Sequence, residues 1–154
     1  MHSLILLEDD ALALEQSCQL ILESACAHAV VLIDKNGQLM AAVGDHSKLD
    51  LDALASLAAG NMAATDGLAK LLGEPGFGSI YHQGESESIQ IESVLGRMFI
   101  VVIFGEESSV GLVRLRLGQT LPKLEALVAD VYSRDSSIPL DITANDISAL
   151  LDED

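Results

Sequence analysis

The sequence predicts an α+β domain in which a largely antiparallel sheet of five strands carries a long central helix. Three observations predict it. Residues 51–72 form an uninterrupted helical stretch, LDALASLAAGNMAATDGLAKLL, bounded by Asp50 and Gly73. Ahead of it lie two short apolar runs around an Asn-Gly turn. Behind it lie three more, joined by turns too short for a crossover. Parallel neighbours need a connection of about a dozen residues or more, so these strands must run antiparallel.

A chain of 154 residues with 49% hydrophobic content suits one domain with a filled core. Aromatic residues make up 3%, so Leu, Ile, Val and Ala must supply most of that core. The formal net charge of -16 repels phosphate backbones and anionic lipid, and the densest basic pair is Arg114 with Arg116. Nucleic acid and membrane are therefore poor partners, and a basic protein patch is a better one. No apolar run approaches the roughly 18 residues of a membrane span, and the start MHSLILLEDD lacks a basic leader. A cytoplasmic protein is expected. Cys18 and Cys26 would lie roughly 12 Å apart along one helix, too far for a disulfide, and read as buried free thiols.

Residues 8–27 predict the first helix, with Leu14, Cys18, Ile21, Leu22 and Ala25 as its inner stripe. Glu8, Asp9 and Asp10 sit where the helix dipole favours negative charge. Residues 28–33 and 38–43 predict two strands around Asp34-Lys35-Asn36-Gly37, a hairpin signal. Asp34 and Asn36 lack the further oxygen ligands of a calcium loop, so a turn is the better reading. In the central helix, Asp50 is a candidate N-cap and Gly73 a left-handed exit. Leu51, Leu54, Ala58 and Met62 mark one apolar line; Leu57, Ala64, Leu68 and Leu71 mark a second. The centre is small: Ala58, Ala59, Gly60, Ala63, Ala64 and Gly67. Each glycine costs about 1 kcal/mol of helix propensity relative to Ala, a cost that close approach of another backbone would explain. One side then packs on the sheet and another meets a partner, for which a second copy of the chain is a candidate.

Residues 79–84, 88–94 and 98–104 predict the remaining strands, with MFIVVIF the most apolar and therefore central. The order second, first, fifth, fourth, third satisfies the turns and leaves the third strand at an edge, without excluding other orders. Val113–Leu117 alternates like a strand, yet Val113, Leu117, Leu124, Val128 and Val131 share a helical stripe. A helix on the same sheet face as the first is preferred, with Pro122 predicting a kink or break near Gly118. From Asp135 onward six acids and no base occur, with Ile142, Ile147, Leu150 and Leu151 between them. This stretch reads either as a solvated tail or as a linear element that orders on a partner.

Catalytic equipment is sparse. There is no phosphate loop, no nucleophile elbow, and no metal-ligand spacing among His2, His28, His46 and His82. Glu85/Glu87 and Glu106/Glu107 lie in turns, as a solvated rim would. No cofactor is expected, and the chain offers faces rather than an active site.

Three segments carry a resemblance: VLIDKNGQL at 31–39, LASLAAGNMAATDGLAKLLGE at 54–74, and VVIFGEESSVGLVRLRL at 101–117. They resemble the Roadblock/LC7 family, in particular the bacterial branch that partners the Ras-like polarity GTPase MglA. Phe77, the step His82-Gln83-Gly84 and the end around Asn145-Asp146-Ile147 and Leu150 are similar too. The resemblance implies a profilin-like sandwich, with a five-stranded antiparallel sheet, the long central helix on one face and the terminal helices on the other. It implies a domain over residues 1–134 followed by an acidic tail over 135–154. It further implies a homodimer, two copies per GTP-bound MglA-like GTPase, that accelerates hydrolysis with no active site of its own. The setting would be cell polarity or gliding motility, in the cytoplasm and concentrated at a pole.

On that basis the dimer residues are Leu54, Leu57, Asn61, Ala64 and Leu68, with Ser79, Ile80, Tyr81 and His82. Asn61 is either a polar register-setter there or an exposed helix residue. The GTPase-contact residues are Lys70, Glu74, Phe77 and Tyr81, joined by Ile147 and Leu150 of the tail. Arg97, Arg114 and Arg116 are candidates for an inserted finger, a role the family need not use. Pro122, and a tail whose nearby base is Arg134 alone, depart from the family pattern. The alternative is a non-catalytic Roadblock scaffold that anchors a GTPase or a motor component. A profilin-like or PAS-like small-molecule sensor is a third reading, for which convergent polar residues are lacking.

Overall fold

The structure is a computed structural model that describes residues 6–137, with side chains described to residue 134. The tail readings, including those on Ile147 and Leu150, fall outside the described residues. In chain order the elements are α1 (Glu8–Ser24), β1 (Ala29–Asp34), β2 (Leu39–Gly44), α2 (Leu51–Leu72), β3 (Ser79–His82), β4 (Ser88–Val94), β5 (Met98–Phe104) and α3 (Val110–Ser137). The sheet runs β2-β1-β5-β4-β3, and every neighbouring pair is antiparallel.

β1 and β5 are buried along their whole lengths. That is why they read as continuous apolar runs rather than as alternation: both sheet faces are covered. Ala29, Val31, Ile33, Ile91, Phe99, Val101 and Ile103 meet α2 on one face. Val30, Leu32, Val94, Met98, Ile100, Val102 and Phe104 meet α1 and α3 on the other. The terminal helices thus share a face opposite the central helix, as expected. One irregularity lies in β2. Leu32 pairs with Ala41 and Ile33 with Leu39, so Met40 is the extra residue of a bulge. Met40 and Ala41 consequently pack together on the α1/α3 side.

The hairpin turn is held by Asp34, whose Oδ1 accepts from the N–H groups of Asn36 at 2.9 Å and Gln38 at 2.8 Å. These bonds account for a carboxylate that is otherwise buried. α2 has the bounds expected of it. Asp50 Oδ1 accepts from Ala53 N–H at 3.1 Å, and Gly73 leaves in the left-handed region with Glu74 N–H on the Ala69 carbonyl. The Asp50→Ala variant should lose about 1 kcal/mol of stability. A urea midpoint equal to that of the parent would show that the cap contributes nothing.

Four details differ from the sequence expectation. α1 stops at Ser24 rather than Ala27, because Cys26 turns into the left-handed region (φ 54) and Ala27 N–H bonds back to the Leu22 carbonyl. Cys26 is therefore exposed at a helix exit and not buried. Cys18 is buried, and desolvation, aided by Glu15, pushes its thiol up to about 12, so it stays protonated. β3 ends at His82, two residues early. Finally, α3 runs unbroken past Pro122, and no break appears near Gly118. Pro122 is exposed, while Val113, Leu117, Leu124 and Val128 hold both halves of the helix on the sheet. That packing outweighs the roughly 3 kcal/mol an interior proline costs. Among the described residues no helix is long and apolar enough to cross a membrane.

Candidate interaction surface

α2 carries two apolar seams that face different ways. Ala55, Ala58, Ala59 and Met62 are buried on the sheet, and Ala69 is buried as well. The other seam, Leu57, Asn61, Ala64, Leu68 and Leu71, steps by four and three like the seam of a coiled coil. Leu57 is 74% exposed, Leu68 58% and Leu71 83%, with Leu72 beside them at 71%. A row of leucines left in water is a surface awaiting cover. Gly60 and Gly67 flank it, and a Cβ added to either would meet nothing within 4 Å. Nothing among the described residues requires these glycines.

β3 lies alongside. Among the described residues it pairs only with β4, so its outer row of backbone N–H and C=O groups has no partner strand there. Its side chains alternate. Ile80 packs toward α2, and His82 Nε2 accepts from Asn61 Nδ2 at 2.7 Å, which places the imidazole proton on Nδ1. Asn61 is therefore half-buried and ties the leucine seam to the sheet edge. Between them opens a groove of about 390 Å³ lined by Leu54, Leu57, Ala58, Asn61, His82, Ile89, Ile91 and Val101. Leu54, Leu57, Asn61, Ala64, Leu68, Ile80 and His82 thus form one continuous surface. Leu71, Leu72 and Ile89 extend it; Leu71 already stood on the second apolar line of α2, though not among the expected dimer residues.

Ser79 and Tyr81 point to the opposite face. Ser79 Oγ accepts from Gln90 Nε2 at 2.6 Å, and Tyr81 stacks on Phe104 at 6.2 Å between ring centroids. Lys70 and Phe77 line a second cavity of about 520 Å³ at the C-terminal end of α2, with Glu74 in the loop between them. Tyr81 is not brought to that cavity, because strand alternation sends its ring to the α1/α3 side of the sheet.

The Roadblock/LC7 domain family profile matches residues 13–104. The chain belongs to the Roadblock/LC7 family. Among solved structures, MglB of Myxococcus xanthus is 38% identical, with 83% of this chain and 96% of that chain covered at a TM-score of 0.78. The gliding protein MglB of Thermus thermophilus is 30% identical, with 84% and 98% covered at 0.77. An MglB described as having a tetrameric arrangement is 29% identical, with 85% and 98% covered at 0.79. Among curated protein sequences no match was found.

In this Roadblock domain the arginines proposed as fingers all have partners. The Arg97 guanidinium lies 5.0 Å from the Tyr132 ring and that of Arg114 lies 5.8 Å from Tyr81. Arg116 Nε donates to the Ser24 carbonyl at 3.2 Å. His28 also has a structural place: its Nδ1 meets both carboxylate oxygens of Glu87, at 2.9 and 3.0 Å, and its other ring nitrogen meets Glu107. Glu87 and Glu107 are exposed in turns, as a solvated rim would be, and also join the β3–β4 and β5–α3 loops through one imidazole. Among the described residues no group of His, Cys, Asp and Glu is placed to hold a metal ion.

Proposed function

We propose that two copies of this chain pair through α2 and β3 and together engage a GTP-loaded Ras-family GTPase of the MglA type. The pair accelerates hydrolysis by holding the GTPase's own catalytic residues in place and has no active site of its own. One observation carries the reading: an exposed leucine seam runs beside an unpaired sheet edge, in a chain 38% identical to an MglB. A two-fold axis along that seam would set leucines against leucines, let backbones meet at Gly60 and Gly67, and join the two β3 strands into one sheet. Leu54, Leu57, Asn61, Ala64, Leu68 and residues 79–82 form this interface, the last four through their backbone edge.

Lys70, Glu74 and Phe77 meet the GTPase beside that axis, Tyr81 from the other face, and Ile147 and Leu150 from the tail. Residues 1–134 act as the domain and 135–154 as its acidic appendage. The engagement of Arg97, Arg114 and Arg116 within the chain favours population shift over an inserted finger. The setting is polarity or gliding control in the cytoplasm, at a cell pole.

Single-turnover GTP hydrolysis by an MglA-type GTPase, with and without this protein, tests the reading. An acceleration on the order of 10- to 100-fold is expected, below the 10³-fold or more of an inserted arginine. Binding without acceleration would sink the activator and leave the scaffold.

A further inference from the structure

The cavity at the C-terminal end of α2 combines an apolar floor with a basic rim. Ala63, Phe77 and Phe99 line it together with Lys35 and Lys70, against one acid, Asp66. Two ammonium groups on one cavity stand out in a chain of net charge -16 that holds eight basic residues in all. An acidic, partly apolar segment would be repelled by most of this protein's surface and attracted here.

The chain carries such a segment, and it starts nearby. Residues 138–154 contain five acids, no base, and the apolar residues Ile147, Leu150 and Leu151. They follow directly on α3, whose C-terminal end lies against the β4–β5 turn. Tyr132 Oη donates to the Arg97 carbonyl at 3.3 Å, and the Arg97 guanidinium covers the Tyr132 ring. Gly96, in that same turn, lines the cavity. The segment therefore leaves from the end of the sheet at which the cavity opens. At roughly 3.3 Å per extended residue, a few residues round the turn and the remainder can lie in the cavity.

We infer that residues 138–154 dock into the Lys35/Lys70/Phe77 cavity of their own chain when no partner is bound. The acids face the two lysines, and Ile147 and Leu150 cover Phe77 and Phe99. The docking does not depend on the proposed function. Its consequence does: Lys70 and Phe77 are also the proposed GTPase contacts, so a docked tail would have to leave before a GTPase could bind.

The test uses the full-length protein alone, with no GTPase present. A nitroxide is placed at position 148 through Ser148→Cys in a Cys26→Ser background, Cys18 being buried. Amide intensities are then compared between the oxidised and reduced label. Amides of Ala63, Gly76 and Gly78 are expected to lose most of their intensity, while Gly44 and Gly111 keep theirs. Lys35→Glu with Lys70→Glu should restore the lost signals. Uniform broadening, broadening confined to Leu57 and Leu68, or broadening unchanged by the two charge reversals would each overturn the inference. So would loss seen only when labelled and isotope-enriched molecules are mixed, since the occupant would then be a second copy's tail.

Discussion

Changing Leu57 and Leu68 together to glutamate is expected to yield a folded monomer in place of the proposed dimer. Both side chains are exposed in the single chain, so its own stability should move by no more than about 0.5 kcal/mol. Pairing is another matter. Burying a leucine contributes about 1.5–3 kcal/mol, and a two-fold axis counts each change twice. The substitution also sets carboxylates against carboxylates across the seam. Dimerisation should weaken at least about 10³-fold, since each 1.4 kcal/mol is tenfold. Sedimentation equilibrium reads the mass, and thermal melting of the same samples reads the fold. A variant that still sediments as a dimer would move the interface off α2. Acceleration of GTP hydrolysis should disappear with the dimer, because the proposed GTPase surface is built from the pair.

Gly44→Ala should be a severely damaging methyl addition, because left-handed strain and a backbone clash coincide there. Gly44 ends β2 at φ +89, where the α1–β1 corner closes over it. A Cβ there would stand 2.4 Å from the His28 carbonyl oxygen, 2.8 Å from Leu22 Cδ1 and 2.9 Å from Ala29 Cα. Two of these are backbone atoms of the β1 entry and cannot swing aside. Left-handed strain alone costs about 1–2 kcal/mol, and the displacement adds to it, so a loss of about 3 kcal/mol is expected. Gly60→Ala is the contrast. The same methyl enters open space on a helix, and in the monomeric Leu57/Leu68 variant it should raise stability by up to about 1 kcal/mol. Urea midpoints of the two variants would decide it. Equal midpoints would mean that backbone geometry at Gly44 is relaxed rather than enforced.

The fold was legible where one physical signal stood alone. α2 announced itself through its cap, its exit glycine and an uninterrupted period, β5 through an apolar run bounded by turns, and β4 through Ile89 and Ile91 between turns. Sheet order followed from loop lengths, which leave few closures for five antiparallel strands. Elsewhere two signals competed. Pro122 carries a local penalty that sequence displays, while the packing of Leu117, Leu124 and Val128 that outweighs it exists only once the sheet is assembled. Cys26 lies eight residues from Cys18 within the expected helix and read as a buried thiol, yet it is the residue on which the helix turns out. At the surface, the leucine seam was readable as a second line on α2 because nothing polar interrupts it except Asn61. Tyr81 was not placeable, because a four-residue strand gives no hint of which face its odd positions take. The His28 link to Glu87 and Glu107 was also invisible, since it joins residues far apart in the chain.

The arrangement of the sheet has a further consequence for how the molecule forms. β1 lies at its centre between β2 and β5, and β5 is made long after it, with α2, β3 and β4 in between. As the nascent chain leaves the ribosome, β1 and β2 can close their hairpin at once. The other edge of β1 must then wait for Met98–Phe104. Non-local pairing of this kind closes a long loop before it is rewarded, so it slows folding. The strand most apolar in the finished core is thus the last to arrive, and the half-made sheet exposes the open edge of β1 until it does. Assembly should therefore be concerted and late.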